Sequence, residues 1–272
     1  INIPCLNEEL NLPNVLEELP KKIDGIDEIK VQIVDDGSTD RTVQVAEHFG
    51  CKILRHNYNK GVGSAFQTGV DEFLHSSGNI FVNIDADGQF DPKDIPKLIE
   101  PILNHEADIV SASRFNGIKP KGMPFLKRTL NRLAAWNVSL CMNQKIPDLT
   151  CGFRAHSREA LLKLNVLNPF TYTQEVIIAA IGNKLRVKFV PVQVTYFKTR
   201  KSRVAGTLSK YINNSSLIIL RTVRDNKPLV FFGIPALFIT ILGILSGLFF
   251  VSLYLNTGQT TPHRTWLYIC IL

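Results

Sequence analysis

Across the first 110 residues, short apolar runs alternate with segments of helical period, and each apolar run ends in a cluster of polar residues. Ile1 to Ile3 reads as the tail of a strand. Lys30–Val34, Lys52–His56, the run from Gly78 to Ile84 and Asp108–Ser113 read as four more. Between them the pattern predicts helices. Asp40 is placed to cap one over Arg41–Phe49, which Gly50 stops. A second runs from about Val62 to His75, and a third takes Asp91 as cap and Pro92 as first residue and continues to about Asn104. Strand and helix alternating in this way imply a mostly parallel sheet with helices on both faces, an α/β fold. Ligands of such sheets bind beyond the carboxyl ends of the strands.

Past residue 110 the pattern changes. Met123–Met142 carries Leu126, Leu130, Leu133 and Leu140 near one helical face, with Lys127, Arg128 and Arg132 interspersed. Leu208, Tyr211, Ile212, Ser215 and Ile219 repeat that arrangement. Packing against the sheet accounts for such faces. So do interfacial helices, with apolar side chains in the lipid boundary and basic ones at headgroups. Leu229–Leu255 then runs for 27 residues without a charge, enough to cross a bilayer with some tilt. Residues 198–227 before it hold eight Lys or Arg and one Asp, which assigns that side to the cytoplasm. After a linker over Asn256–Arg264, Thr265 begins a return span with aromatics at the interface, and Gly243 and Gly247 would let two helices approach closely. The expectation is a multi-pass membrane protein with a cytoplasmic globular part. The chain opens on Ile1 and closes in an apolar run, so it is expected to be a piece of a longer protein, and lack of a signal peptide decides nothing.

Charge sharpens the division. The net +7 hides −11 over residues 1–110 (9 Lys/Arg against 20 Asp/Glu) and +18 over residues 111–272 (22 against 4). An acidic half that binds metal and a basic half that meets phosphates or membrane is one account. Nucleic acid is a poorer one, because the basic residues cluster by the apolar span and no nucleic-acid motif stands out. Cysteines 5, 51, 141, 151 and 270 show neither paired metal spacing nor an even framework, and read as reduced thiols.

The chemistry concentrates where one strand ends in Asp85-Ala86-Asp87-Gly88-Gln89. Residues i and i+2 of an extended segment point to the same side, so Asp85 and Asp87 can share one cation. Oxygen ligands at a strand tip suit Mg²⁺ or Mn²⁺ holding a substrate diphosphate. Two plainer readings compete: a simple Asp-Gly turn, and a calcium loop over Asn83, Asp85, Asp87, Gly88 and Asp94. The calcium loop is opposed by the entering strand, by Pro92 and by the lack of a second copy. Other strand ends are polar too: Pro4, Asn7, Glu8 and Glu9; Asp35 to Asp40; Asn57 to Gly63; Ser113 and Arg114. Five clusters converging on one edge argue for a site.

Pro4 to Glu8, Val34 to Asp40, Asn59 to Gly61 and Asp85 to Gln89 resemble, in order and spacing, family 2 glycosyltransferases with the glycosyltransferase-A fold. Ser113-Arg114, Asp148 to Arg154, Gln174-Glu175 and Arg200 to Arg203 resemble the polyprenyl-phosphate sugar synthase branch, the dolichol-phosphate mannose synthase-like enzymes. The resemblance covers about residues 1–227. It implies a Rossmann-like catalytic domain over residues 1–206; the amphipathic pattern and the uncharged run add an amphipathic juxtamembrane helix over 207–228 and a transmembrane hairpin over 229–272. It further implies inverting transfer of a hexose from a nucleotide diphosphate sugar to polyprenyl (dolichyl or undecaprenyl) phosphate at the cytosolic membrane face. Asp36 would contact the nucleobase, Pro4, Leu6, Glu8 and Val34 would line its pocket, and Lys60 and the Ala86 backbone would lie beside the nucleotide. Leu6 stands where relatives often carry an aromatic. Metal ligands would be Asp85, Asp87 and Gln89. A phosphate acceptor, with its second pKa of about 6, needs positioning by guanidinium groups more than a general base. Arg114, Arg128, Arg132, Arg200 and Arg203 are the candidates, with Lys201 as a further one. Glu175 and Asp148 would orient them, or serve as base if the acceptor were a saccharide or lipid hydroxyl. A non-catalytic nucleotide-sugar-binding membrane module is the remaining alternative.

Overall fold

The computed structural model describes residues 1–115, 122–164, 171–196 and 208–258. Among these, β1 (Asn2–Cys5), β2 (Gln32–Asp35), β3 (Lys52–Arg55), β4 (Ile80–Asn83), β5 (Ile109–Ser113), β6 (Arg154–Ser157) and β7 (Val187–Pro191) form one sheet in the order β3-β2-β1-β4-β6-β5-β7. Only β6 runs against its neighbours β4 and β5; the other pairings are parallel. The carboxyl ends of six strands therefore share one edge. The α/β alternation read from the sequence accounts for β1 to β5. The antiparallel β6, Arg-Ala-His-Ser, has no apolar run to announce it and exists because β4 and β5 enclose it.

The helices are α1 (Leu12–Glu17), α2 (Thr42–His48), α3 (Val62–His75), α4 (Ile95–Leu103), α5 (Phe125–Met142), α6 (Arg158–Leu162), α7 (Thr173–Gly182), α8 (Leu208–Asn226) and α9 (Pro228–Thr257). Asp91 caps as expected, accepting from the Lys93 N–H at 2.9 Å, but the first turn over Pro92–Asp94 is 3₁₀ and α4 starts after it. α5 starts two residues later than the apolar pattern predicts, because Pro124 (φ −58°, ψ 137°) is extended.

Strand alternation sends Ile3, Ile33, Val82, Val110 and Ala155 to one face, where they pack with Leu12, Ala46, Ile95 and Leu98. On the other face the Phe66 ring of α3 stacks on Tyr172 at 3.9 Å and meets Phe81 edge-on. Burying each large side chain contributes roughly 1.5–3 kcal/mol; the two apolar layers hold the sheet rigid and leave its carboxyl edge for polar residues.

The chain divides into two compact units, residues 1–226 and 227–272. In the second, Pro228–Asn256 is, among the described residues, the one helix long and apolar enough to cross a membrane. The return span expected from Thr265 lies outside the described residues.

Candidate active site

At the β1–β2 end of the edge, carboxylates are held by backbone N–H groups. The first loop adopts a left-handed turn at Asn7 (φ 52°), a conformation that asparagine tolerates. Its N–H groups are taken by the second loop: Asn7 donates to Ser38, Glu8 to Thr42 and Glu9 to Asp40. In return the Thr39 N–H donates to the Asn7 side chain and the Arg41 N–H to Glu9. Asp36 closes the third loop. Its Oδ1 accepts from the Lys60 N–H (2.9 Å) and meets His56 Nδ1 (2.7 Å), while Oδ2 accepts from the Gly61 N–H (2.9 Å). His56 Nε2 reaches Thr68.

Asp85 and Asp87 follow β4. The Asp87 carboxylate accepts from the Gln89 N–H at 3.0 Å, winding the chain into a turn through Gly88. The Gln89 carbonyl accepts from Thr195 N–H, and Phe90 bridges to Val194. Gly152 lies against Asp85: a Cβ there would stand 3.2 Å from both carboxylate oxygens. The glycine keeps that space clear. Among the described residues no group of three or more His, Cys, Asp or Glu gathers to cage an ion. The donor set fits a hard divalent cation whose remaining shell comes from a diphosphate and water.

Across the edge, the charges are cationic and held by side chains. Arg114, at the end of β5, is buried. Its Nε and Nη2 donate to the two oxygens of Asp148 (2.7 and 2.8 Å), Nη2 also to Thr150 (2.6 Å), and Nη1 to the Tyr196 hydroxyl (2.9 Å). Burial works against its charge, but the Asp148 carboxylate outweighs burial and holds the guanidinium charged. Tyr196 carries a second cation: Lys127, in the first turn of α5, places its ammonium 5.0 Å from the ring centroid. Burial and then the Arg114 charge lower the Lys127 pKa, while Asp87 pulls the other way. Lys127 thus stands between the two halves of the edge. The helix is seated there by Gly122 (φ +76°), where a Cβ would come within 2.7 Å of the Tyr196 carbonyl oxygen.

The remaining candidates divide. Pro4 and Leu6 are partly exposed near the edge; Glu8 is buried and accepts from Asn11. Val34 has no exposed surface and supports the edge from inside the core. Ala86 likewise packs into the core and offers only its backbone. The Lys60 ammonium lies over the Tyr58 ring. Arg132 reaches the Phe115 ring, which Arg114 also contacts, and the Arg128 Nε is buried without a hydrogen-bond partner. Glu175 is buried in the first turn of α7. Arg200, Lys201 and Arg203 lie outside the described residues. Sequence reasoning placed Lys127 only among the basic residues of an interfacial helix and passed over Tyr172 and Tyr196. Lys127 was visible as a basic residue in the first turn of an apolar-faced helix; nothing local marked the tyrosines.

The fold is a mostly parallel α/β sheet of the glycosyltransferase-A type, with an Asp-x-Asp turn and a buried arginine on one edge. The chain belongs to glycosyl transferase family 2, whose model matches residues 1–164. It is 33% identical over 226 residues to the UDP-N-acetylglucosamine–dolichyl-phosphate N-acetylglucosaminyltransferase of Methanococcus voltae (75% of this chain, 88% of that protein). It is 30% identical over 264 residues to the dolichol-phosphate mannosyltransferase of Pyrococcus furiosus (94% and 72%). These relatives place it in the polyprenyl-phosphate sugar transferase branch. The fold matches glucosyl-3-phosphoglycerate synthase of Mycobacterium tuberculosis, solved with Mn²⁺, UDP-glucose and phosphoglyceric acid, at a TM-score of 0.66 over 82% of this chain and 78% of that one, with 21% identity.

Proposed function

We propose that this glycosyltransferase moves a hexose from a nucleotide diphosphate sugar, of the GDP-mannose or UDP-glucose type, to a polyprenyl phosphate at the cytosolic face of a membrane. The observation that carries the reading is the opposition of Asp85 and Asp87 to Arg114 and Lys127 across one sheet edge. A transfer between two polyanions needs charge of both signs in one place.

Asp85, Asp87 and Gln89 would hold Mg²⁺ or Mn²⁺, which neutralises charge on the departing diphosphate when bound. The loops of Pro4, Leu6, Glu8 and Asp36 form the nucleotide side, with Lys60 beside them. Asp36 spends both oxygens on its neighbours, so it shapes the base pocket and meets a base through its remaining lone pairs. Lys127, Arg128 and Arg132, with Arg200 and Arg203, receive the acceptor phosphate. Arg114 keeps few donors to spare and fixes Tyr196 and the Asp148 loop. A phosphate monoester is ionised near neutral pH, so one in-line displacement inverts the anomeric centre without a base from the chain. Asp148 is committed to Arg114 and Thr150, which leaves Glu175 to orient the acceptor side and makes a hydroxyl acceptor the weaker reading.

Leu126, Leu133, Trp136 and Leu140 expose one face of α5, each more than half exposed. This supports an interfacial helix that brings lipid phosphate to the edge. The proposed organisation is a catalytic domain over residues 1–206, a juxtamembrane helix over 207–228 and a hairpin of spans over 229–272.

The test offers labelled nucleotide sugars to the full-length protein in membranes with Mn²⁺ or Mg²⁺, with and without polyprenyl phosphate. Label entering lipid only when the phosphate is present supports the reading, and the active donor names the sugar. Asp87→Ala should lower that transfer by about 10²–10³-fold. Full activity in Asp87→Ala with unchanged metal dependence would sink the mechanism.

A further inference from the structure

One row of polar residues crosses the sheet beneath the site. In register, Gln32 of β2 lies beside Asn2 of β1, Asn2 beside Asn83 of β4, Asn83 beside Arg154 of β6, and Arg154 beside Ser111 of β5. All but Gln32 are fully buried. A polar line of this length inside an apolar layer is costly unless its members satisfy one another. Gln32 Nε2 donates to Asn2 (2.9 Å), Asn2 Nδ2 to Asn83 (2.7 Å), and Asn83 Nδ2 to the Tyr172 hydroxyl (2.7 Å).

The row converges on one loop. Tyr172 donates to the Gly152 carbonyl at 3.1 Å, Asn83 reaches the same oxygen at 3.3 Å, and Arg154 Nη2 donates to the Leu149 carbonyl at 3.2 Å. From above, the side chains of Asp148 and Thr150 in that loop grip Arg114, and Gly152 abuts Asp85. The loop over residues 148–153 thus touches both sides of the reaction. We propose that Tyr172 is a positioning residue: its hydroxyl pins the Gly152 carbonyl and so fixes where the Asp85 carboxylate meets the metal. Burial and then the nearby Asp85 charge raise the Tyr172 pKa well above its usual value, so the hydroxyl stays a donor throughout the working pH range.

This inference rests on the proposed metal role of Asp85. Tyr172→Phe keeps the ring that stacks on Phe66 and removes only the hydroxyl. Mn²⁺ binding to the full-length protein in detergent, followed by the electron paramagnetic resonance of free Mn²⁺ with GDP or UDP present, needs no turnover. The expected result is a dissociation constant raised about tenfold in Tyr172→Phe, with metal-free nucleotide affinity within about twofold of the parent. Gly152→Ala, whose Cβ would stand 3.0 Å from the Tyr172 hydroxyl and 3.2 Å from both Asp85 oxygens, disturbs the same contact from the loop side and should weaken Mn²⁺ in the same direction. It also serves as the readout if Tyr172→Phe does not fold. Parental Mn²⁺ affinity in either folded variant overturns the positioning role and leaves the proposed function standing. A parent protein that binds no Mn²⁺ with either nucleotide overturns the metal reading itself.

Discussion

The two ends of the catalytic edge hold their charges by different means. On the β1–β2 side, Asp36 and Asp40 accept from backbone N–H groups of loops within a few tens of residues, and three loops are laced together by those bonds. On the β5 side, Arg114 is held by Asp148, Thr150 and Tyr196, side chains 34, 36 and 82 residues away. A carboxylate among backbone donors forms a loop cluster whose shape nearby chain segments specify, which is the proposed nucleotide side. A buried guanidinium needs partners delivered from elsewhere, and the same delivery leaves Lys127 facing Asp87. In the proposed function, the donor side is local and the acceptor side is assembled.

That contrast is sharpest in stability. Asp148→Ala strands a buried guanidinium and should cost about 3–5 kcal/mol. Asp36→Ala releases the Lys60 and Gly61 N–H groups and the buried His56 imidazole, all neutral donors, and should cost about 1–3 kcal/mol. Urea unfolding of the two variants compares them directly. An Asp36→Ala loss equal to or larger than that of Asp148→Ala would break the distinction.

The seam between the two sides offers a pH test. His156 of β6 is fully buried with neither ring nitrogen hydrogen-bonded. Burial, and then the Arg154 charge, lower its pKa from 6.5 to about 3. Between those values the unfolded chain binds a proton that the folded chain refuses. The His156 contribution is therefore constant above pH 6.5, and stability falls as pH drops toward 3 by about 1.4 kcal/mol per pH unit. His156→Leu should flatten that slope. An unchanged slope in the variant would mean that the acid sensitivity belongs to the carboxylates of the donor side.

Lys127→Met gives the smallest effect, and it acts on kinetics. Partly exposed and outside the Arg114–Asp148 pair, it should leave the unfolding midpoint unchanged while the KM for polyprenyl phosphate rises about tenfold, about 1.4 kcal/mol. A rise confined to the KM for the nucleotide sugar would move Lys127 to the donor side of the comparison.

The polar clusters of the proposed donor side were legible because their signals are short. Asp85 and Asp87 stand two apart after an apolar strand, and Asp36 sits in a turn between a strand and a helix. Strand and helix periods then bring such clusters to one edge of a parallel sheet without further information. The full burial of Val34 was not legible, because strand alternation gives the face but not what covers it. Asp148 was noted as a family-matched acid that would orient the arginines, and it does grip Arg114. The tyrosines were invisible: Tyr172 sits at the start of α7 and Tyr196 in an irregular segment after β7, and neither position has a period to reveal it.

By itself the sequence determined the α/β alternation, the polar strand ends, the acidic pair and a 27-residue uncharged segment, since each arises from neighbours along the chain. The tertiary structure decided that β6 enters antiparallel between β4 and β5. It also decided that five polar residues line up in register beneath the site, and that one loop joins Arg114 to Asp85. Those features depend on which strands become neighbours, and pairing between distant segments is fixed only when the whole sheet closes around them.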